Sequence, residues 1–479
     1  MSEKEYDAII LGAGLGGLLA GSLLVRRGLK VLIISQGERT GQLGYRSQDY
    51  LFEPMGGLLT DLQEGGGPHR ALGELGLSSE IVPLEPGLQV IFPNQRLSLY
   101  SREDRFWREI SREFPDDLIG LRELSGVMAR LEEALSHLRS LTESGEKGRT
   151  LERRPLHAWV TLFPYWRKTL ASALEAYALG PESRLFMNAL MSFFGGPDPQ
   201  PSLIFGAILW GLLRRGFYGY KGGLLQMATA LEKAFLEGGG RMQFQTPVTG
   251  MDLRRKREVR VQTNDEEFQA HYLAVEREHQ AYPQASCLLE RRWWRRKKRG
   301  HLALKEKAFS LLLGVKEEVL PSEMREHLLI FGDRPTSQPG KDLTFLSLSP
   351  PGDVSRAPQG HRAMAATVFL SLNDIKASGD DEHWQGAWAE ELLERLEDFI
   401  PSLSRYLDYL GVLVTEIPET GGRRDWASPS KIACARMGLD TFASKRPCPH
   451  LFFLDDHAIP GGRGLYSLLP ALRVAEAIR

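Results

Sequence analysis

An α/β fold is predicted, with a parallel sheet that holds a dinucleotide and a second part of mixed helix and strand. Three observations carry it. Ala8 to Leu11 form a short apolar run of the kind a strand buried on both faces needs. Gly12, Gly14 and Gly17 follow at once in G-x-G-x-x-G spacing, with Leu15, Leu18, Leu19 and Leu23 at helical spacing behind them. Gly28 closes that helix, and Val31 to Ile34 supply a second buried strand. This is the strand–turn–helix–strand order of a Rossmann-type unit, which rests a pyrophosphate on a helix N-terminus. Gly12 permits the turn, Gly14 lets the backbone approach the phosphates, and Gly17 lets the helix pack on the strand. One position departs from the full fingerprint. The second strand usually ends in an acid that binds the adenosine ribose, and here Ser35 and Gln36 stand there. A neutral, monodentate serine holds a ribose less firmly than a carboxylate does.

The chain has 479 residues, enough for two or three domains, and its 42% hydrophobic and 25% charged residues are ordinary for a globular protein. Lys plus Arg number 60 against 61 Asp plus Glu, and this balance argues against nucleic acid as a partner. Cys287, Cys434 and Cys448 lack metal-ligand spacing and suit a reduced, cytoplasmic setting. MSEKE leads straight into the first strand without a signal peptide, and no apolar run is long enough to span a bilayer.

Beyond the second strand, glycines 41, 44, 56 and 57 break GERTGQLGYRSQDYLFEPMGGLL into packed turns. Leu88 to Phe92 and Leu97 to Tyr100 flank PNQR as a hairpin, and helical patterns follow, including Leu118 to Leu141. Ser144 to Pro155 is polar and reads as a mobile connection. The block from WVTLFPYWRKTLASALEAYAL to SLIFGAILWGLLRRG is apolar on nearly all sides, which predicts buried helices or the walls of an apolar pocket. FYGYKGGLLQMATALEKAFLEGGG places Leu224, Met227, Ala228, Leu231 and Phe235 on one helical face. Three strand-like pieces follow as a meander: RMQFQTPV, MDLRRKREVRVQT and EEFQAHYLAV. Alternating runs such as FSLLLGV and LTFLSLS predict further strands, and a late helix sets Trp384, Trp388, Leu392 and Phe399 on its apolar side. The chain ends in a strand, a Gly-Pro turn and a helix.

These segments, in this order, resemble the flavin-dependent phytoene desaturase and carotenoid isomerase-like family of amine-oxidase-like flavoproteins. The resemblance rests on the glycine fingerprint, GYRSQDYLFEPMGG, VIFPNQRLSLYSREDRFWREISREFP, YGYKGGLLQMATALEKAFLEGGGRMQFQTPV and FFLDDHAIPGG. It implies a discontinuous Rossmann-type FAD-binding domain from residues 1–75, 215–290 and 425–479, with an α+β substrate domain inserted as 76–214 and 291–424. It assigns Gly12, Gly14 and Gly17 to the FAD pyrophosphate, with Ala13, Gly16, Ser35, Gln36 and Gly44 along the cofactor path. Val248 would approach the adenine through its backbone. Asp456 matches the acid on the ribityl-phosphate side, and Gly461 or Gly462 would lie beside the isoalloxazine. Asp455 replaces the usual glycine and Arg463 a small residue, and AVEREHQ stands where relatives have a Ser-Asn-Ala-like turn. With Ser35, these departures crowd the inferred cofactor path.

The resemblance implies an FAD-dependent oxidoreductase that removes hydride from, or isomerises, an apolar isoprenoid or lipid-like substrate. The alternative is a non-catalytic subunit of the same fold that has lost or weakened FAD binding and meets a partner or membrane. A nicotinamide cofactor at the same fingerprint is the third reading. No catalytic residue is assigned, because the flavin accepts the hydride in this chemistry. His457 sits where a proton could move or a turn be tied, and Tyr218 and Tyr220 read better as packing than as a flavin wall. No histidine pattern suggests a metal. Arg291, Arg292, Trp293, Trp294, Arg295 and Arg296 open a basic run with two indoles. It reads either as a peripheral membrane anchor or as a solvated segment with its tryptophans packed inward.

Overall fold

A computed structural model describes residues 4–37, 43–54, 56–93, 95–143, 154–195, 201–253, 258–276, 306–332, 342–377, 384–416, 450–454 and 465–478. The first sheet grows from β1 (Lys4–Leu11), with β2 (Val31–Ile34) parallel on one side and β10 (Arg241–Gln243) parallel beyond it. On the other side lies β13 (Glu267–Glu276), also parallel to β1. The far edge of β13 is shared. Its first half pairs antiparallel with β12 (Val259–Thr263), which continues to β11 (Val248–Asp252), and its last residues pair parallel with β19 (Leu451–Leu454).

Period-two alternation divides the sheet's two faces. Ala8, Ile10, Val31 and Ile33 pack under three helices: α1 (Leu15–Arg26), α9 (Gly223–Glu237) and α12 (Leu469–Ala477). Tyr6, Ile9, Leu11, Leu32 and Ile34 face the meander through Val248, Val259 and Val261. Helix α1 is buried at every residue but its last, Arg26, which is why its leucines run beyond a single stripe. It ends where Gly28 takes φ +86°, and the amides of Gly28 and Leu29 return to Val25 and Leu24.

A second sheet of seven strands runs β18 (Leu407–Glu416), β14 (Glu306–Lys316), β17 (His361–Ser371), β16 (Leu343–Leu348), β15 (His327–Phe331), β7 (Leu88–Ile91) and β8 (Arg96–Leu99). The β7–β8 hairpin is the one expected around PNQR. One face of this sheet takes α11 (Trp384–Phe399), and α10 (Leu372–Ala377) follows β17. The other face carries the helical layer of α3 (Glu103–Glu113), α4 (Leu118–Glu143), α5 (Arg154–Leu162), α6 (Leu170–Ala176), α7 (Pro181–Gly195) and α8 (Leu203–Arg215). A ribbon of β3 (Tyr45–Ser47) and β4 (Tyr50–Phe52) also lies against that sheet. Between the two large sheets of the chain order sits a four-stranded one: β20 (Leu465–Ser467), β5 (Leu58–Thr60), β9 (Phe217–Tyr220) and β6 (Ile81–Leu84), with α2 (Gly67–Glu74) preceding β6.

Two local expectations are corrected, and a third gains a residue. RMQFQTPV is not one meander strand: Gln245 takes φ +52° ahead of Pro247, so β10 joins the parallel sheet and Val248 begins the meander. On α11 Phe399 packs half-buried against the core on the expected side, and Leu396 joins Trp384, Trp388 and Leu392 as a buried residue of that stripe. The block opening at Trp159 is not enclosed throughout. α8 is buried along nearly its whole length, but Val160 is 63% exposed and Phe163 79%. The Ser144–Pro155 connection lies outside the described residues up to Arg154, where α5 starts.

Candidate dinucleotide site

The glycine turn sits at the carboxyl end of β1, where open parallel sheets take their ligands. Gly12 has φ +118°, a conformation L side chains rarely adopt, and its amide donates to the Ile34 carbonyl at 2.9 Å. Gly14 is the N-cap residue of α1, extended at φ −75° and ψ −176°, with no side-chain cap of its own. The amides of the first turn have no acceptor within the helix and take theirs from elsewhere.

That acceptor is Glu276. β13 emerges between β1 and β19, with Val275 opposite Leu11 and Glu276 opposite Leu454. From there the Glu276 side chain, 9% exposed, reaches into the turn. One carboxylate oxygen accepts from the Gly14 amide at 2.9 Å and the Gly17 amide at 2.8 Å, and the other accepts from Gly14 at 3.1 Å. The space beside the glycines belongs to the same group. A Cβ on Gly12 would overlap the Glu276 carboxylate, and one on Gly17 would lie 2.6 Å from it and 2.5 Å from the Gly12 carbonyl. The donors thus have the chemistry of an anion site on a helix N-terminus. FAD, the group such a fold implies, does not fit beside Glu276 as that side chain stands, because its diphosphate and the carboxylate need the same amides.

The other sequence-derived positions divide into groups. Ala13 and Gly16 are buried in the turn and first helical turn. Ser35 is 8% exposed and its hydroxyl accepts from the Gly37 amide at 3.3 Å, while Gln36 is exposed. The segment leading to Val248 joins them: Thr246 donates to the Ser35 carbonyl at 3.1 Å and Gln245 to that of Gly37 at 3.0 Å. Val248 itself turns its side chain into the core under the meander. Gly44 packs against β4, where a Cβ would lie 3.0 Å from Leu51 and 3.2 Å from the Phe52 carbonyl; no described contact joins it to the glycine turn. Asp455, Asp456, His457, Gly461, Gly462 and Arg463 lie outside the described residues, as do 291–296 and the three cysteines. Tyr220 is buried in the core of the first sheet, and Tyr218 pairs with Leu59 and Pro83; burial, then Asp61 and Glu85, pushes the Tyr218 phenol up.

A second buried carboxylate lies in FEPMGG. Glu53 accepts from the Leu224 amide at 2.5 Å, at the start of α9, and pairs with Arg356 at 3.0 Å. Both side chains of the pair are under 10% exposed, at 4% and 6%. Gly223, at φ +86°, leaves room for Glu53. The loop is tied to the second sheet by Ser347, whose hydroxyl donates to the Glu53 carbonyl, and Thr367, which donates to that of Pro54, both at 2.6 Å. Close by, His327 stacks on Phe345 with ring centroids 6.1 Å apart. Burial and the Arg356 cation push its pKa down to about 3. Sequence reasoning flagged AVEREHQ as a departure but gave Glu276 no role, and it passed over Glu53, Arg356 and His327. The visible signals were an acid ending a buried strand and one inside a glycine-rich loop.

Comparison with known proteins begins at this turn. Residues 10–61 match the NAD(P)-binding Rossmann-like domain family. Over 414 residues the chain is 24% identical to prolycopene isomerase of Daucus carota, covering 82% of this chain and 66% of that protein. Over 438 residues it is 23% identical to 4,4'-diapolycopen-4-al dehydrogenase of Metabacillus indicus, covering 86% and 84%. The chain resembles the carotenoid isomerase and desaturase-like flavoproteins. It spans about two thirds of the carrot relative's length. Among solved structures, cyclohexylamine oxidase of Brevibacterium oxydans superposes with a TM-score of 0.61 at 16% identity, covering 99% of this chain and 98% of the other. At that identity the likeness shows the fold, an α/β fold of the flavin-type dinucleotide-binding kind.

Proposed function

We propose that this chain is an FAD-dependent oxidoreductase or isomerase acting on an extended apolar molecule of isoprenoid or lipid-like type. The observation that carries the reading is the pairing of two parts in one chain. A glycine turn with anion-binding amides stands at the end of a parallel sheet, and an apolar helical layer covers the second sheet from α3 to α8. The relatives, a prolycopene isomerase and a 4,4'-diapolycopen-4-al dehydrogenase, favour a polyene over a small polar substrate. FAD would supply the electron chemistry when bound. The protein's own part is to hold the substrate in an apolar, water-poor setting and to orient it.

The test starts from native purification. The chain should retain a flavin or take one up, and an organic extract should contain a polyene or long-chain lipid. Incubation with cis and partly saturated polyenes should change their absorption spectra. Flavin-loaded protein inert toward every polyene and long-chain lipid tried would sink the substrate class.

Glu276 favours a second reading, a fold of this type that works without the dinucleotide, as a partner- or membrane-binding subunit. It predicts a colourless protein that takes up no FAD and still retains an apolar ligand.

A cytoplasmic, peripheral position at a membrane suits either reading. No helix among the described residues is long and apolar enough to cross a bilayer. The surface that would meet one is the last turn of α5 and the turn after it, where exposed Val160 and Phe163 stand near Trp159 and Trp166, with Arg167 and Lys168 exposed beside them. Aromatic and aliphatic tips with cations alongside suit the headgroup level. Replacing Val160 and Phe163 with serine should at least halve flotation with anionic liposomes, and unchanged flotation would remove this surface from consideration.

A further inference from the structure

We infer that Glu276 is an internal substitute for the cofactor's diphosphate, and that a dinucleotide enters only as this carboxylate leaves. The inference rests on the reading of the turn as a dinucleotide site. Glu276 satisfies the Gly14 and Gly17 amides, the same first-turn donors a phosphate would use. It also fills the space that glycine at positions 12 and 17 keeps open. Two anions cannot share that position, since like charges at contact distance in a buried site repel strongly. With the carboxylate in place the turn already has the shape that binds a phosphate, so displacement requires a side-chain rotation and no refolding. β13 keeps its pairing with β1 and β19 throughout, because Val275 and the residues before it hold the strand in place.

A ligand that binds only the displaced state has its affinity lowered by the fraction of time that state is populated. Removing the competitor therefore tightens binding. The experiment titrates full-length wild type, Glu276→Ala and Glu276→Gln with FAD and with ADP, following flavin fluorescence and heat. Circular dichroism and melting curves verify that each variant folds. Glu276→Ala is expected to bind FAD at least about tenfold more tightly than wild type, the scale of losing charge-assisted hydrogen bonds. Glu276→Gln keeps the length and an acceptor oxygen but loses the charge, and should fall between. If Glu276→Ala does not fold, an FAD affinity for Glu276→Gln above that of wild type decides the matter in the same way.

Equal affinity in all three proteins overturns the inference, whether that affinity is tight or absent. The functional reading is scored separately, by turnover of polyenes. Variants that gain FAD yet convert no substrate uphold the role of Glu276 and sink the enzyme. Wild type that already carries FAD and turns over, with affinity unchanged by substitution, does the reverse.

Discussion

Two buried glutamates, Glu53 and Glu276, each take amides from the start of a helix that packs on the first sheet, and they differ in what else stands beside them. Glu53 caps α9 and has the Arg356 guanidinium at 3.0 Å. Glu276 binds the turn ahead of α1, in a position whose glycines are otherwise read as making room for a phosphate. The first arrangement is a closed one: a paired charge, a capped helix, and a loop tied by Ser347 and Thr367 to the second sheet. The second puts a carboxylate where a ligand's charge belongs. One carboxylate therefore serves stability, and the other trades with binding.

Removing the cation from the closed pair should give the largest effect. Arg356→Met leaves Glu53 charged and buried, which costs about 3–5 kcal/mol in comparable cases. Urea unfolding should register it, and a loss no greater than that of Glu276→Ala would erase the distinction between the two sites. Next comes the coupling between Gly12 and Glu276. Gly12→Ala is destabilising both through φ +118° and through its overlap with the carboxylate. Combined with Glu276→Ala, part of that loss should return, with a coupling of about 1 kcal/mol or more in a double-mutant cycle. Strict additivity would assign the whole cost to backbone strain and to the Glu276 Cβ, 2.7 Å from the added methyl, and none to the carboxylate.

His327 sharpens the contrast through pH. Its folded pKa of about 3 lies below the ordinary histidine value, so the unfolded chain binds a proton that the folded chain refuses. The sign follows: this stability is present above the unfolded value and is lost as pH falls from about 6.5 toward 3, at roughly 1 kcal/mol per pH unit. His327→Gln should flatten that part of the stability profile beside Arg356, and an unchanged slope would assign the acid sensitivity to other groups. The smallest effect is expected at Ser35. Its hydroxyl accepts one amide at 3.3 Å, so Ser35→Ala should cost under about 1 kcal/mol in the melting curve.

The first sheet and its helix were legible because apolar runs and glycines there obey a fixed geometric pattern. Ala8 to Leu11, the turn and α1 leave few alternatives for a chain. The hairpin at 88–99 and the face of α9 were legible for the same reason. The sharing of β13 between β12 and β19 was not, since no local period says which distant strand completes an edge. Within the site, the glycines could be read but their occupant could not. A glutamate that ends a strand looks the same in sequence whether it faces solvent or reaches 262 residues back to the Gly14 amide.

The shared edge of β13 also governs how the molecule comes into being. β1 leaves the ribosome before the other strands of its sheet, but its partner on one side begins at Glu267, and the strand completing that edge ends at Leu454. At roughly 5–20 residues per second, β1 waits on the order of 20–90 s for this closure. During that interval an apolar strand edge and an uncovered leucine-rich helix stand open to chaperones and to other nascent chains, so premature termination anywhere before β19 should yield an aggregating fragment and no autonomous nucleotide-binding module.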